Sequence, residues 1–119
     1  MIFNDLAKQF TESFEEYTPL LQEHTDFNGE VLNHVFFGQC NEYFVELIGK
    51  EKDIRKIKAL FDFLERMATQ GDDDVKELLS VTILARLGDS KKLLQTSYKY
   101  MGTEIRKVSD EIEIFWGRN

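Results

Sequence analysis

Val31-Leu32-Asn33-His34-Val35-Phe36-Phe37-Gly38-Gln39-Cys40-Asn41-Glu42-Tyr43-Phe44-Val45-Glu46-Leu47-Ile48 is the stretch that decides the fold class, because it reads either as strand or as helix. β-branched and aromatic residues crowd it and Gly38 lies in its middle, which favours a strand. Strict alternation nevertheless fails at Phe36-Phe37 and again at Leu47-Ile48. Helical spacing fits better: Leu32, Val35 or Phe36, Gln39 or Cys40, Tyr43 or Phe44, and Leu47 fall on one side, with Asn33, Asn41 and Glu42 mostly elsewhere. The stretch is therefore read as one helix, with Gly38 as the place for a bend.

Toward the N-terminus, Phe3, Leu6, Phe10, Phe14 and Tyr17 recur at spacings of three and four, which puts an aromatic stripe on one helix face. Thr18-Pro19 ends that helix and opens a short one over about Pro19 to His24. Thr25-Asp26-Phe27-Asn28-Gly29 then reads as a loop, with Asn-Gly as its turn signal. Toward the C-terminus, Gly49-Lys50 marks a break. Ile54, Ile57, Leu60, Phe61, Leu64 and Ala68 form an amphipathic stripe ended by Gly71. Glu51 with Arg55 and Asp62 with Arg66 are acid-before-base pairs four apart, a spacing that supports a helix. Asp72 to Asp74 cap the next helix, which buries Val75, Leu78, Leu79, Thr82, Ile83 and Leu87 and closes at Gly88. Asp89 or Ser90 opens another, with Leu93, Leu94, Ser97, Tyr98 and Met101 inside and Gly102 as its stop. Thr103 opens the last, with Ile105, Val108, Ile112 and Phe115 or Trp116 inside. Short links make antiparallel neighbours. The expectation is an all-α fold: a single-domain helical bundle, or a short armadillo- or HEAT-like stack of helical hairpins.

Bulk properties agree. The 119 residues, 42% apolar with ten Phe, one Pro and no linker-like tract, fit one domain over residues 1–119. Cys40 is the single cysteine and has no partner for an internal disulfide. No signal peptide is read, because Asp5 and Lys8 interrupt any apolar run, so the expected compartment is the cytoplasm. No window approaches the roughly 18 apolar residues of a membrane span. A net charge of −7 sets nucleic acid and anionic bilayers against repulsion, so neither is an expected partner.

That charge is not spread evenly. Residues 1–50 hold nine carboxylates (Asp5, Glu12, Glu15, Glu16, Glu23, Asp26, Glu30, Glu42, Glu46) against Lys8 and Lys50, while residues 51–119 hold thirteen of each sign. On the first helix Glu12, Glu15 and Glu16 lie at i, i+3 and i+4, so their like charges share one face and repel. A one-sided negative field steers basic partners in; ordinary solubility also favours net negative charge.

Catalytic and metal motifs are not legible. The histidines are His24 and His34, and Cys40 lies six residues past the latter, about 600° around a helix and about 9 Å along it, so no dyad follows. Glu30 and His34 are one turn apart with nothing placed to complete a metal shell. Asp72-Asp73-Asp74 lacks the alternate ligands and terminal Glu of a calcium loop. Gly71, Gly88 and Gly102 are solitary and sit at helix ends. Arg55-Lys56-Lys58 and Lys91-Lys92 are interspersed with acids and read as solvated faces. No metal and no cofactor is expected.

Asn33-His34-Val35-Phe36-Phe37-Gly38, then Leu60-Phe61-Asp62-Phe63-Leu64-Glu65, Gly71-Asp72-Asp73-Asp74-Val75, Leu78-Leu79-Ser80-Val81-Thr82 and Leu87-Gly88-Asp89 resemble a family of small bacterial helical proteins. Its members share an HVFFG-like segment and a GDxxV…LxxVxxLxxLG-like segment. The likeness covers about Leu32 to Gly88; Gln39-Cys40 departs from the charged residue expected after Gly38. Such proteins resemble, in size and acidity, the immunity proteins of polymorphic or contact-dependent toxin systems. The resemblance implies a cytoplasmic inhibitor that occludes a basic, nuclease-type toxin domain, and it assigns no catalytic residues.

The reading that results is a non-enzymatic acidic binding protein. Glu12, Glu15, Glu16, Glu23, Glu42 and Glu46 are its candidate partner-binding charges, with Phe37 and Tyr43 as second-choice aromatic anchors, since an aromatic at helical spacing is more often core. Two rivals stand beside it. One is a helical adaptor whose groove takes a peptide that need not be basic; the other is an enzyme whose site the sequence does not reveal.

Overall fold

The computed structural model describes residues 1–118. Seven helices follow one another among the described residues: α1 Leu6–Ser13, α2 Thr18–Asn28, α3 Asn33–Lys50, α4 Ile54–Gln70, α5 over residues 73–87, α6 Lys91–Tyr98 and α7 Thr103–Trp116. Short 3-10 turns, Phe3–Asp5 and Glu15–Tyr17, precede α1 and α2. No strand occurs among the described residues. The stretch that decides the class is thus a helix of 18 residues, α3, which begins two residues after the expected start and runs through Gly38 and Gly49.

α3 lies across the molecule against α1, α5 and α6, and α4 packs on α7. Together they close one core. Its hub is Phe10, whose ring meets Phe14, Tyr17, Phe37, Phe44 and Phe63 at centroid separations of 5.0 to 5.8 Å, mostly edge to face. That geometry sets the positive edge of one ring against the negative face of the next, and each such pair adds about 0.5–1.5 kcal/mol beyond burial. The molecule measures 39 × 32 × 22 Å along its principal axes.

Asp72 and Ser90 cap the helices that the sequence has them open, and Asp53, which the sequence reading did not single out, caps α4. Asp53 accepts the Lys56 amide at 3.1 Å, Asp72 accepts Val75 at 2.9 Å and Ser90 accepts Leu93 at 3.2 Å. Each satisfies an amide that the first helical turn leaves without a partner. α7 is capped from a distance instead: the Glu65 carboxylate of α4 accepts the Glu104 amide at 2.7 Å and the Ile105 amide at 3.3 Å. Gly102 makes room for it, because a Cβ there would overlap that carboxylate. Within α5, Leu79–Leu84 is wound as a π-helix between α-helical ends.

Several expectations need correction. The aromatic stripe Leu6, Phe10, Phe14, Tyr17 is buried, but not on one helix. The backbone leaves the helical region at Phe14 (φ −129°, ψ 78°), after Thr11 turns its hydroxyl onto the Ala7 and Lys8 carbonyls, a back-bond that bends helices. Glu12 therefore stands on α1 while Glu15 and Glu16 stand on the turn beyond it, and the shared carboxylate face does not form. Thr25 to Asn28 is helix rather than loop, held by Thr25 Oγ1 on the Leu21 carbonyl and Gln22 on Asp26. Asn28-Gly29 is the end of α2, with Gly29 in the left-handed region (φ 76°). Glu51 does not pair with Arg55. It closes α3 at φ 49° and binds Tyr100 Oη at 2.6 Å and Lys99 at 3.1 Å. Arg66 lies over the Phe63 ring rather than on Asp62. Phe115 and Trp116 are both exposed; Glu113 takes the inner position, paired with Arg118 at 2.7 Å.

Candidate functional site

A groove of about 660 Å³ opens between α2 and α3. Local sequence builds it. Pro19, free of the need for an amide partner in the first helical turn, starts α2 directly after the Glu15–Tyr17 turn. At the far end the Leu32 amide donates to Nε2 of buried His24 at 3.0 Å, tying the start of α3 to α2 and fixing the angle between them. Tyr17, Leu20 and Leu47 supply apolar floor, and Glu16, Glu23, Glu46, Lys50 and Lys56 stand around it. Tyr43, 53% exposed, sets its ring edge-on to Tyr17 at 6.0 Å.

The charges are part paired. Lys56 binds Glu16 at 2.6 Å and Lys50 binds Glu46 at 2.7 Å. The hydrogen bond from Lys50, and then its charge, hold the Glu46 carboxyl below its ordinary range. The hydrogen bond to Glu16 outweighs partial desolvation and raises the Lys56 ammonium above its own. Glu23 has no ion-pair partner among the described residues. Burial, reinforced by the Cys40 thiol and the Glu16 carboxylate, pushes the Tyr17 hydroxyl up, so it stays protonated at neutral pH. Three carboxylates against two ammonium groups leave the groove net negative, and its ion pairs are exposed. Such pairs contribute little to stability, so an incoming cation can displace an internal lysine at small cost.

Of the residues singled out from sequence, Glu16, Glu23, Tyr43 and Glu46 meet here. Glu12 and Glu15 are exposed but line no part of the groove. Glu42 faces a different cleft of about 430 Å³ with His34, Gln39, Thr82 and Arg86, where His34 Nδ1 lies 2.7 Å from Thr82 Oγ1. Phe37 is a correction: at 1% exposure, edge-on to Phe10 and Phe36, it is core and has no surface to offer a partner. Sequence reasoning missed Lys50 and Lys56 as counter-ions. The four-residue spacing of Glu46 and Lys50 carried a signal for the first; the Glu16–Lys56 pair joins segments 40 residues apart and carried none. Cys40 is fully buried, its thiol pushed up to about 12 by desolvation, which makes it an inert core residue. Among the described residues no three His, Cys, Asp or Glu side chains are grouped to hold a metal ion, and no helix is long and apolar enough to cross a membrane.

An all-α domain with an open, acid-rimmed groove is the class that fold and site define. Residues 7–117 match the family described as Domain of unknown function (DUF7674), and the chain belongs to that family. Neither the curated proteins nor the solved structures contain a match to it.

Proposed function

We propose that the chain is a non-enzymatic binding protein that receives a basic protein partner in the α2–α3 groove. Its role would be that of a cytoplasmic bacterial immunity protein occluding a nuclease-type toxin domain. The observation that carries the reading is the convergence of Glu16, Glu23 and Glu46 with exposed Tyr43 around one apolar floor. Long-range attraction to residues 1–50 brings a cationic surface in, and an arginine or lysine of the partner replaces Lys50 on Glu46 or takes unpaired Glu23. The apolar floor then receives the aliphatic part of the same side chain, and Tyr43 covers the contact.

Co-expression with the toxin-type product of a neighbouring gene tests the reading; it expects protection and a complex that survives purification. Reversing charge with Glu23→Lys and Glu46→Lys should slow association on the order of tenfold at low salt and flatten its salt dependence. No protection and no complex would overturn it. The openness of the groove also suits the second reading, a peptide-binding adaptor. Association with the salt-insensitive rate of a neutral peptide would favour that instead.

A further inference from the structure

The α2–α3 groove carries one polar group that nothing else in the chain satisfies. Tyr17 is 8% exposed, its ring set against Phe10 at 5.1 Å, Phe44 at 5.7 Å and Tyr43 at 6.0 Å, and it forms part of the groove floor. Its hydroxyl makes no hydrogen bond among the described residues. Nor is that hydroxyl sealed inside: the fully enclosed side-chain atoms without a partner are Asn33 Oδ1, Asn41 Oδ1 and Arg118 Nε, so the Tyr17 oxygen is the one that opens to the groove. Burial, then the Cys40 thiol and the Glu16 carboxylate, favour its protonated form, and its lone pairs are free to accept. Buried polar groups are hydrogen-bonded as a rule, which marks this hydroxyl as a group kept for whatever enters the groove.

We infer that the groove selects arginine over lysine: a partner's guanidinium donates to Tyr17 Oη and to Glu23 and lies against the Tyr43 ring. The inference rests on the reading of the groove as the seat of a basic partner, and it names the side chain taken there. The chain's own ammonium groups show where a lysine settles in this groove. Lys56 and Lys50 stay 40% and 61% exposed, each on the rim with a single carboxylate, and neither binds the hydroxyl. An ammonium is compact and strongly hydrated, so seating one on a floor of Tyr17, Leu20 and Leu47 strips water that one neutral oxygen does not replace. A guanidinium is flat and more weakly hydrated. Its fork of N–H donors spans a neutral oxygen and a carboxylate together. Its face stacks on an aromatic ring, and Tyr43 offers one that is 53% exposed. Glu23 is the carboxylate left for it, since Glu16 and Glu46 already hold Lys56 and Lys50.

Two labelled peptides of equal length and charge, one with arginines and one with lysines at the same positions of a Gly-Ser chain, serve as probes. Each is titrated with the full chain at low salt and followed by fluorescence anisotropy. The arginine peptide is expected to bind on the order of tenfold tighter, the effect of one added hydrogen bond to a charged group. Tyr17→Phe keeps the ring in its aromatic setting and removes only the oxygen, and it should bring the arginine peptide down to the affinity of the lysine peptide. The thermal melt of Tyr17→Phe should hold at or above that of wild type, because the lost hydroxyl bonded nothing in the chain; a purely structural role for the hydroxyl would lower it. Equal affinity for the two peptides in the wild-type chain, a preference that survives in Tyr17→Phe, or a Tyr17→Phe melt well below wild type overturns the inference and leaves the acidic groove standing as a docking site. Binding of neither peptide overturns the inference and the reading beneath it together.

Discussion

Phe10 touches five other aromatic rings from three other elements, so its loss is not the loss of one contact set but of the piece that keys those elements together. Phe10→Ala should lower unfolding free energy by about 3–5 kcal/mol, the range for deleting a buried phenyl ring and leaving a cavity, measurable as a shifted urea midpoint at unchanged slope. Cys40 makes a second check at this scale. Fully buried and with its thiol held protonated, it should react with an aromatic disulfide reagent only at the rate of global unfolding, and at once in denaturant. Periodicity placed Phe10 on an interior face and left the corresponding position of α3 to Gln39 or Cys40, since spacing reports a side of the helix rather than a single residue. It could not separate Phe37, which is core, from Tyr43, which is surface. Both fall near the edge of the α3 stripe, and whether a neighbour covers an edge position depends on where α1 and α5 come to rest.

At the scale of elements, what was legible depended on whether the signal was local. Asp53, Asp72 and Ser90 each cap a helix starting at the next residue, and such caps are written in a few consecutive positions. The break at Phe14 and the remote cap on α7 are not. Phe14 leaves helical geometry so that it can stack on Phe10 while Tyr17 reaches Phe44, and Glu65 serves α7 from 39 residues away. The same distinction gives a contrast between two glycines. Gly49 lies in the last turn of α3 with open space where a Cβ would stand, so Gly49→Ala should stabilise by about 0.5–1 kcal/mol through the unfolded chain. Gly102→Ala should destabilise by about 1–2 kcal/mol, because its methyl expels the carboxylate that caps α7. Parallel thermal melts of the two variants measure both signs.

Over the whole molecule, two carboxylates, exposed Asp72 and half-buried Glu51, act as ties between distant parts of the chain. Asp72 accepts the Phe3 amide as well as that of Val75, joining the N-terminal turn to the α4–α5 link. Glu51 joins the end of α3 to the link after α6. Hydrogen bonds from the Phe3 and Val75 amides hold Asp72 below the ordinary carboxylate range, and the bond from Tyr100, then that from Lys99, do the same for Glu51. Folded-state values depressed below the unfolded ones contribute stability that is complete above the unfolded range and is lost as pH falls through the folded values. Melting temperature should therefore hold steady from neutral pH down to about 5 and drop below it. Asp72→Asn should melt lower than wild type at neutral pH and lose less of that temperature on acidification. The candidate groove is legible only in part for the same reason that these ties are invisible in sequence. The acidity of residues 1–50 announces a charged half, yet which of its carboxylates meet is set by the crossing of α2, α3 and α4.

The π-helical winding of Leu79–Leu84 bears on the history of the chain as well as its shape. Hydrogen bonding five residues back, as from Ala85 to Ser80, takes up one residue more than an α-helix of the same span. The segment therefore stores a single-residue insertion without disturbing what lies on either side: Val75 and Leu78 before it and Leu87 after it all face the core. Removing one of its residues should let α5 close as a regular α-helix with both flanks in place and the chain still folded. An equivalent deletion in the middle of α4 would turn every later side chain by about 100° and empty half of its buried stripe. Length variation among sequences of this family is expected to collect at that point of α5, where the fold has already made room for it.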